Sequence, residues 1–433
     1  MSDAAPERHR RNAELGLLVL ALIVAVGAYA LVGLGRDGAV PAGVAAFGLL
    51  ITGGYVFAHL AVRRFAPGAD PIFLPVGALL AGLGFAVIDR LDPERAVAQA
   101  GWLLLGLLLF ALTLVIIRDH RQLDAFTYTL GFLGLLLLLL PLAPGLGQEI
   151  RGARVWIALG PMRFQPAEVA KVLIVVFAAS YLAARKELLA VATRRLGPLA
   201  LPEPRHLGPL LFAWLVSLAV LFFQKDLGSS LLFFGLVVVM LWVATARSAY
   251  LIFGGMMFAA GALFAYRAFT HVQDRITVWL HALDPRFIQD EGYQVAQSLF
   301  AMATGGIAGT GLGQGRPQDI PDAPTDFVFA AIGEELGLLG TIAVLLLFVL
   351  LMARAFRTAL TRADDFGQLL AAGLGTILAL QTFVIIGGVT RLIPLTGITL
   401  PFVSYGGSSL VANFVLLALL VRTSAGPSRE EEG

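Results

Sequence analysis

The sequence predicts an all-α, polytopic integral membrane protein of about twelve transmembrane helices: a ten-helix core, two additional N-terminal helices and a long structured extracytoplasmic loop. Of its 433 residues 58% are hydrophobic and only 14% charged, with a mean hydropathy of +0.83. Apolar runs of the roughly 20 residues that a hydrocarbon core of about 30 Å demands recur from end to end. The runs are continuous and rich in Leu, Ala and Gly, so they do not read as the alternating strands of an outer-membrane barrel.

Taken in order, the expected spans lie near 14–34, 42–62, 72–89, 98–117, 124–143, 167–184, 207–223, 229–246, 249–266, 336–353, 366–388 and 402–421. The first follows Arg8, Arg10 and Arg11, like a signal peptide in charge but not in length, and is read as a retained span. Arginines crowd the loops on the side of the N-terminus, among them Arg63, Arg64, Arg118, Arg121, Arg354, Arg357 and Arg422. The positive-inside rule therefore places both termini in the cytoplasm. Residues 1–70 hold the cytoplasmic N-terminus and the two added spans, 71–425 the core, and 426–433 a short cytoplasmic tail.

This orientation leaves loops 144–166 and 267–335 outside. The second is far longer than a connector requires. Within it Ile276, Val278, Trp279, Leu280 and Leu283 suit a short amphipathic helix, and Gly292 to Ala308 a second helical piece that includes Gln294. The glycines from Gly305 to Gly315 read as a flexible loop, because no strand precedes them to make a dinucleotide fold.

Asp326 closes Pro321-Asp322-Ala323-Pro324-Thr325-Asp326, where this polar loop meets an apolar run that begins Phe327-Val328-Phe329. Glu168 and Lys171 open the sixth expected span behind Pro166, and three residues apart they share a helix face. Ionisable groups at membrane depth are costly and tend to line cavities; the plainer alternative is an interfacial ion pair. Arg151, Arg154 and Trp156 form a cationic, partly aromatic rim in the preceding loop. Asp226 reads as a helix N-cap. Glu334, Glu335, Arg275, Arg391 and the segment Ser404-Tyr405-Gly406-Gly407-Ser408-Ser409 fall on the same outer side. The small residues of that segment allow either close helix packing or a groove for an isoprenoid chain. Acids and cations beside lipid suit a substrate with a phosphate and a hydroxyl. The six histidines show no metal-ligand spacing, and zero cysteines remove thiolate sites.

Over about residues 70–425 these segments resemble the signatures of the SEDS family (shape, elongation, division and sporulation), which includes RodA, FtsW and SpoVE. The family's Pro-Glu-Ala-His-Thr-Asp-Phe-Ile-Phe-Ala and Ile-Gly-Glu-Glu-Leu-Gly are matched from Pro321 to Gly337. Its Asn-Gly-Ala-Arg-Arg-Trp-Ile is matched at 151–157, Gln-Pro-Ser-Glu-Leu-Ala-Lys at 165–171 and Pro-Phe-Val-Ser-Tyr-Gly-Gly-Ser-Ser at 401–409. Pro324 stands in place of the family's histidine, Asp322 of glutamate, Arg151 of asparagine, Val155 of the second arginine, and Lys225 of the proline in Gln-Pro-Asp.

The resemblance implies a peptidoglycan glycosyltransferase that polymerises lipid II into β-1,4-linked strands on the outer face of the bacterial cytoplasmic membrane. Asp326 would be the general base of an inverting transfer. Lys171, Glu168, Arg154, Arg151, Arg275, Gln294, Ser404 and Tyr405 are the candidate substrate-binding residues, with Glu168 orienting Lys171 and the cations meeting the departing diphosphate. A divalent cation, Mg2+ or Mn2+, would bridge acid and diphosphate; no organic cofactor is expected. The implied partners are lipid II and the nascent glycan strand, membrane lipids, a single-pass class B penicillin-binding protein that cross-links the glycan, and components of the elongasome or divisome; no nucleic acid is expected. The rival reading, a flippase or other transporter of lipid-linked precursors, requires polar residues near the membrane midplane, whereas these charges gather at one edge.

Overall fold

The computed structural model describes residues 4–150, 152–160, 162–190, 194–196, 199–201 and 207–426. Helices stand at all twelve expected spans, eleven of them long and apolar enough to cross a membrane, the fifth by including the 3-10 turns that flank it (His120–Leu142), and one, Gly208–Phe223, shorter. In order they are α1 (Ala4–Asp37), α2 (Val44–Phe65), α3 (Phe73–Leu91), α4 (Pro93–Ile116), α5 (Thr127–Leu139), α6 (Pro166–Ala183), a five-residue α7 (Lys186–Ala190), α8 (Gly208–Phe223), α9 (Leu227–Thr245) and α10 (Ala249–Ala268). The long loop adds α11 (Thr270–His281) and α12 (Tyr293–Gly305), and the chain finishes with α13 (Val328–Thr361), α14 (Asp365–Val389) and α15 (Gly407–Ser424). Two elements are absent from the all-α expectation: between α5 and α6 an antiparallel sheet of β1 (Gly147–Ile150), β2 (Ala153–Leu159) and β3 (Met162–Phe164), and between α7 and α8 an antiparallel pair of β4 (Arg194–Leu196) and β5 (Leu199–Leu201). These strands are too short for their alternation to stand out among loop residues.

Two compact units divide the chain. The first comprises Met1–Ile116, His271–Arg354 and Gln381–Val421. Within it the buried residues of α1, Leu18, Ala21, Ala25, Ala28 and Val32, recur at helical spacing and face α3. Ala25 meets α3 at Gly82, so small side chains permit the close crossing. Glu14 on α1 is buried, paired with Arg11 at 2.5 Å and with His59 of α2 at 2.7 Å. Outward-facing Leu20, Ile23, Leu31, Leu49, Phe57 and Leu60 on α1 and α2 are exposed, the apolar surface expected to meet lipid.

The helix α13 is interrupted at Gly337, whose φ of 66° and ψ of −164° are not helical. The break leaves amides without helical partners, and loop carbonyls take them: Leu338 N donates to Gly306 O at 2.9 Å and Leu339 N to Ile307 O at 3.1 Å. Left-handed backbone of this kind favours glycine.

The second unit comprises Ile117–Thr270, Ala355–Leu380 and Arg422–Gly433. Its centre is α6, nearly all of which is buried, while α10 presents Ile252, Phe253, Met256, Phe258, Leu263 and Phe264 outward. Between α4 and α5, His120 is buried, stacks on Phe366 of α14 and approaches Asp364, in the turn before that helix, at 3.0 Å.

Candidate functional site

In the first unit the loop before α13 is wound on one carbonyl. Asp322 adopts a left-handed φ of 58°, and its carbonyl accepts from Thr325 N at 3.0 Å, Asp326 N at 3.1 Å and Thr325 Oγ1 at 3.1 Å. Ala323 and Phe327 are buried on either side, which leaves Asp326 half-buried at the lip. Gln294 of α12 donates to Asp322 Oδ2 at 3.2 Å.

A second segment, 394–406, grips the same loop. Tyr405 N donates to Pro324 O at 2.8 Å, and the buried Ser404 hydroxyl donates to Thr325 O at 2.6 Å while accepting from Leu400 N at 3.0 Å. Gly397, at a left-handed φ of 74°, brings its backbone beside the acid: a Cβ placed there would stand 3.8 Å from Asp326 Oδ2. Arg275 of α11 holds this stretch by donating to Leu395 O at 2.7 Å. Asp326, Arg275, Gln294, Ser404 and Tyr405 are thus brought together, three of them through the backbone that carries the acid or lies beside it and Gln294 through the side chain of Asp322.

Sequence reasoning missed two side chains of this assembly. Gln99 of α4 is buried and donates to Ser404 O at 3.3 Å while accepting from Gly406 N at 3.4 Å. Gln381 of α14, also buried, donates to Thr399 O at 2.9 Å. A lone amide in an apolar helix was the available signal, since a buried polar group must find a partner. Gly407 packs directly on the Trp102 ring, and Ser409 accepts from Thr399 Oγ1 at 2.8 Å, so these small residues serve close packing.

Other residues expected at the outer surface are committed elsewhere. Glu334 and Glu335 are buried and organise the glycine-rich loop: Arg316 N donates to Glu334 Oε1 at 2.8 Å and Gly313 N to Glu335 Oε2 at 3.0 Å. Thr310 N and Gly311 N donate to the carbonyls of Glu334 and Glu335, and Arg90 approaches Glu335 at 3.3 Å. The expected flexible loop is therefore an ordered one, because two buried carboxylates need donors and its backbone supplies them. Arg391 caps α11 by donating to the carbonyls of Trp279 and Leu280, each at 2.6 Å, while Trp279 Nε1 returns a bond to Arg391 O at 3.0 Å.

In the second unit Pro166 takes the first helical position of α6, as the missing N–H favours. One turn on, Lys171 Nζ lies 2.6 Å from Glu168 Oε2, both side chains buried. On β2, Val155 and Ile157 are buried and Arg154 and Trp156 take the opposite face. The burial of Val155 explains an apolar residue where an arginine would have to be desolvated. Arg154 N donates to Gln224 O at 3.2 Å, and Arg154 Nη2 lies 3.4 Å from Ala143 O. Arg151 lies outside the described residues. Asp226 is the N-cap of α9, accepting from Ser229 N at 2.9 Å and Ser229 Oγ at 2.7 Å.

The comparisons with known proteins follow these motifs. The family model of FtsW, RodA and SpoVE, described as cell cycle protein, matches residues 90–428. The peptidoglycan glycosyltransferase RodA of Mycobacterium tuberculosis is 47% identical over 432 residues, 97% of this chain and 92% of that one. Stage V sporulation protein E of Bacillus subtilis is 34% identical over 337 residues, 77% of this chain and 88% of that one. Among solved structures, a chain from a peptidoglycan synthase complex that coordinates polymerization and crosslinking aligns with a TM-score of 0.68 at 30% identity, covering 82% of this chain and 97% of that one. The rod shape determining protein RodA of Thermus thermophilus aligns with a TM-score of 0.58 at 29% identity, covering 84% and 98%. This chain belongs to the FtsW, RodA and SpoVE family of multi-pass membrane proteins.

Proposed function

We propose that this chain is a peptidoglycan glycosyltransferase that polymerises lipid II into β-1,4-linked glycan at the outer face of the bacterial cytoplasmic membrane, with Asp326 as general base. The observation that carries the reading is a half-buried acid on a loop pinned by Gln294, Ser404 and Tyr405. Holding a base in place is what proton abstraction requires, and a positioned base contributes about 10²–10⁴-fold. The names of the relatives support the reaction class.

In this reaction the 4-hydroxyl oxygen of the acceptor sugar bonds to the anomeric carbon of the lipid-linked donor. Asp326 takes the hydroxyl proton, the bond from that carbon to the diphosphate oxygen breaks, and the lipid diphosphate departs with the electron pair. A single displacement inverts the configuration and gives the β link. The resemblance assigns the diphosphate to Lys171, Arg154 and Arg151, where preorganised positive charge stabilises the leaving group. The 2.6 Å contact of Glu168 with Lys171 supports its role in orienting that ammonium. The first-unit residues Arg275, Gln294, Ser404 and Tyr405 act on this reading mainly by positioning the acid's surroundings.

A divalent cation, Mg2+ or Mn2+, would add charge stabilisation of the diphosphate. Among the described residues no group of three or more His, Asp or Glu side chains could hold a metal. Asp326 is the residue that would hold such an ion, whose positive charge would stabilise the diphosphate.

Cytoplasmic termini and an outer active site follow from the arginine bias of the loops. A class B penicillin-binding protein as partner is supported by the likeness to a chain of a synthase complex; such a pairing would serve elongation, division or sporulation.

The test is polymerisation of lipid II by the purified protein, with its transpeptidase partner, comparing wild type with Asp326→Asn and Asp326→Ala. Both variants should keep their folded yield and lose at least about 10²-fold in rate. Strands made at the wild-type rate by folded variants remove the base from Asp326. A wild type that moves labelled lipid across liposomes and makes no strands replaces the enzyme with a transporter.

A further inference from the structure

A cavity of about 390 Å³ opens in the second unit between the β1–β2 hairpin and the turn from α8 to α9. Leu142 and Phe223 give it apolar walls, Arg154 and Lys225 contribute positive charge, and Glu149 contributes negative charge. Glu149 and Lys225 are exposed and Arg154 half-buried, so the charges meet water at the mouth. Gln224, buried at the back, fixes the turn to the sheet by accepting from Arg154 N at its carbonyl and donating Nε2 to Leu138 O at 2.6 Å.

The turn departs from the family's Gln-Pro-Asp motif. Lys225 occupies the family's proline position with a left-handed φ of 59°, which a proline ring, locked near −65°, cannot adopt. The backbone that presents the lysine at this cavity is therefore unavailable to the proline form. The volume falls within the range of small-ligand pockets, about 300–1,000 Å³. A diphosphate would leave Glu149 without a complement and repel it. A peptide that carries both carboxylates and a protonated amine satisfies both signs, and its aliphatic stems suit Leu142 and Phe223.

We infer that this cavity binds the peptide borne by the lipid-linked disaccharide, with Lys225 receiving a carboxylate and Glu149 an ammonium, while Arg154 stays with the diphosphate at its edge. The inference rests on the glycosyltransferase reading for the identity of the peptide, and it makes Lys225 a specificity determinant of this chain.

The experiment titrates the full-length protein in detergent with the soluble peptide N-acetyl-L-Ala-γ-D-Glu-L-Lys-D-Ala-D-Ala, whose lysine amine is its one ammonium, followed by calorimetry. The companion ligands are the same peptide with its lysine amine acetylated, the same peptide with its carboxylates amidated, and inorganic pyrophosphate. Wild type should bind the unmodified peptide. Lys225→Asn, which tolerates the left-handed turn, should weaken it about threefold to tenfold, as loss of one solvent-exposed hydrogen bond would, and have no effect on the amidated peptide. Glu149→Gln should weaken the unmodified peptide similarly and be silent toward the acetylated one. Absence of peptide binding, or binding indifferent to both substitutions, overturns the inference. Pyrophosphate binding that alone responds to Lys225→Asn replaces the peptide with the diphosphate. None of these readouts requires turnover, so a failure of glycan synthesis in the earlier test remains a separate result.

Discussion

The hydroxyl of Ser404 reaches across to the carbonyl of Thr325 at 2.6 Å, one residue before the proposed base. The same oxygen accepts from Leu400 N at 3.0 Å, so a single buried atom links the two segments that meet beside Asp326.

Ser404→Ala removes both bonds and leaves a buried amide and a buried carbonyl short of partners. The expected cost is about 1–3 kcal/mol of stability, with a loss of turnover larger than any change in apparent affinity for lipid II. Thermal unfolding in detergent beside a lipid II titration checks it. Wild-type turnover in the Ala variant would show that the clamp is dispensable.

The buried pair Glu168–Lys171 yields a two-part expectation. Removing one partner strands a charge, so Glu168→Ala should destabilise the protein by about 3–5 kcal/mol. The double variant Glu168→Leu, Lys171→Met removes both charges and should recover much of that loss. Glycan synthesis should stay absent in the double variant, because the cation assigned to the diphosphate is gone. Unfolding midpoints and polymerisation rates on the same preparations separate the two effects.

Asp364 sits in the turn between α13 and α14, outside the spans. Burial pushes its carboxyl up, but the hydrogen bonds from His120 and Gly367 N and the charges of His120 and Arg121 prevail and bring it down from 3.8 to about 2. Because the folded state holds the proton less tightly than the unfolded one, this contribution is complete above about pH 3.8 and is lost as pH falls through 2. Asp364→Asn should therefore lower the unfolding midpoint at pH 7, and the difference from wild type should shrink below pH 4. A gap that stays constant down to pH 2 contradicts the linkage.

Helices were legible because membrane length writes them into the sequence as long apolar runs, and their twelve positions were all found. The sheet at 147–164 was not, since alternation over Ala153–Leu159 is brief and its partner strands shorter still. Asp326, Glu168 and Lys171 were legible as charges where a membrane resists them. The work of Arg275 and Ser404 was not, because each contacts a backbone carbonyl distant in the chain, at Leu395 and Thr325, and carbonyls carry no sequence signal. Glu334 and Glu335 misled for a related reason: their partners are the amides of Arg316 and Gly313, which composition renders as a supple glycine tract.

The interruption at Gly337 also limits how this region can vary among descendants of the gene. An unbroken helix of the length of Val328–Thr361 would run about 51 Å, against a hydrocarbon core of about 30 Å. Because the amides freed at the break are taken by Gly306 and Ile307, insertions or deletions between those residues and Gly337 would shift the register and strand them. The exposed turns between His281 and Tyr293 carry no such pairing to the break. Length polymorphism in the long loop should collect in those turns, while the stretch from Gly305 to Gly337 keeps a constant number of residues.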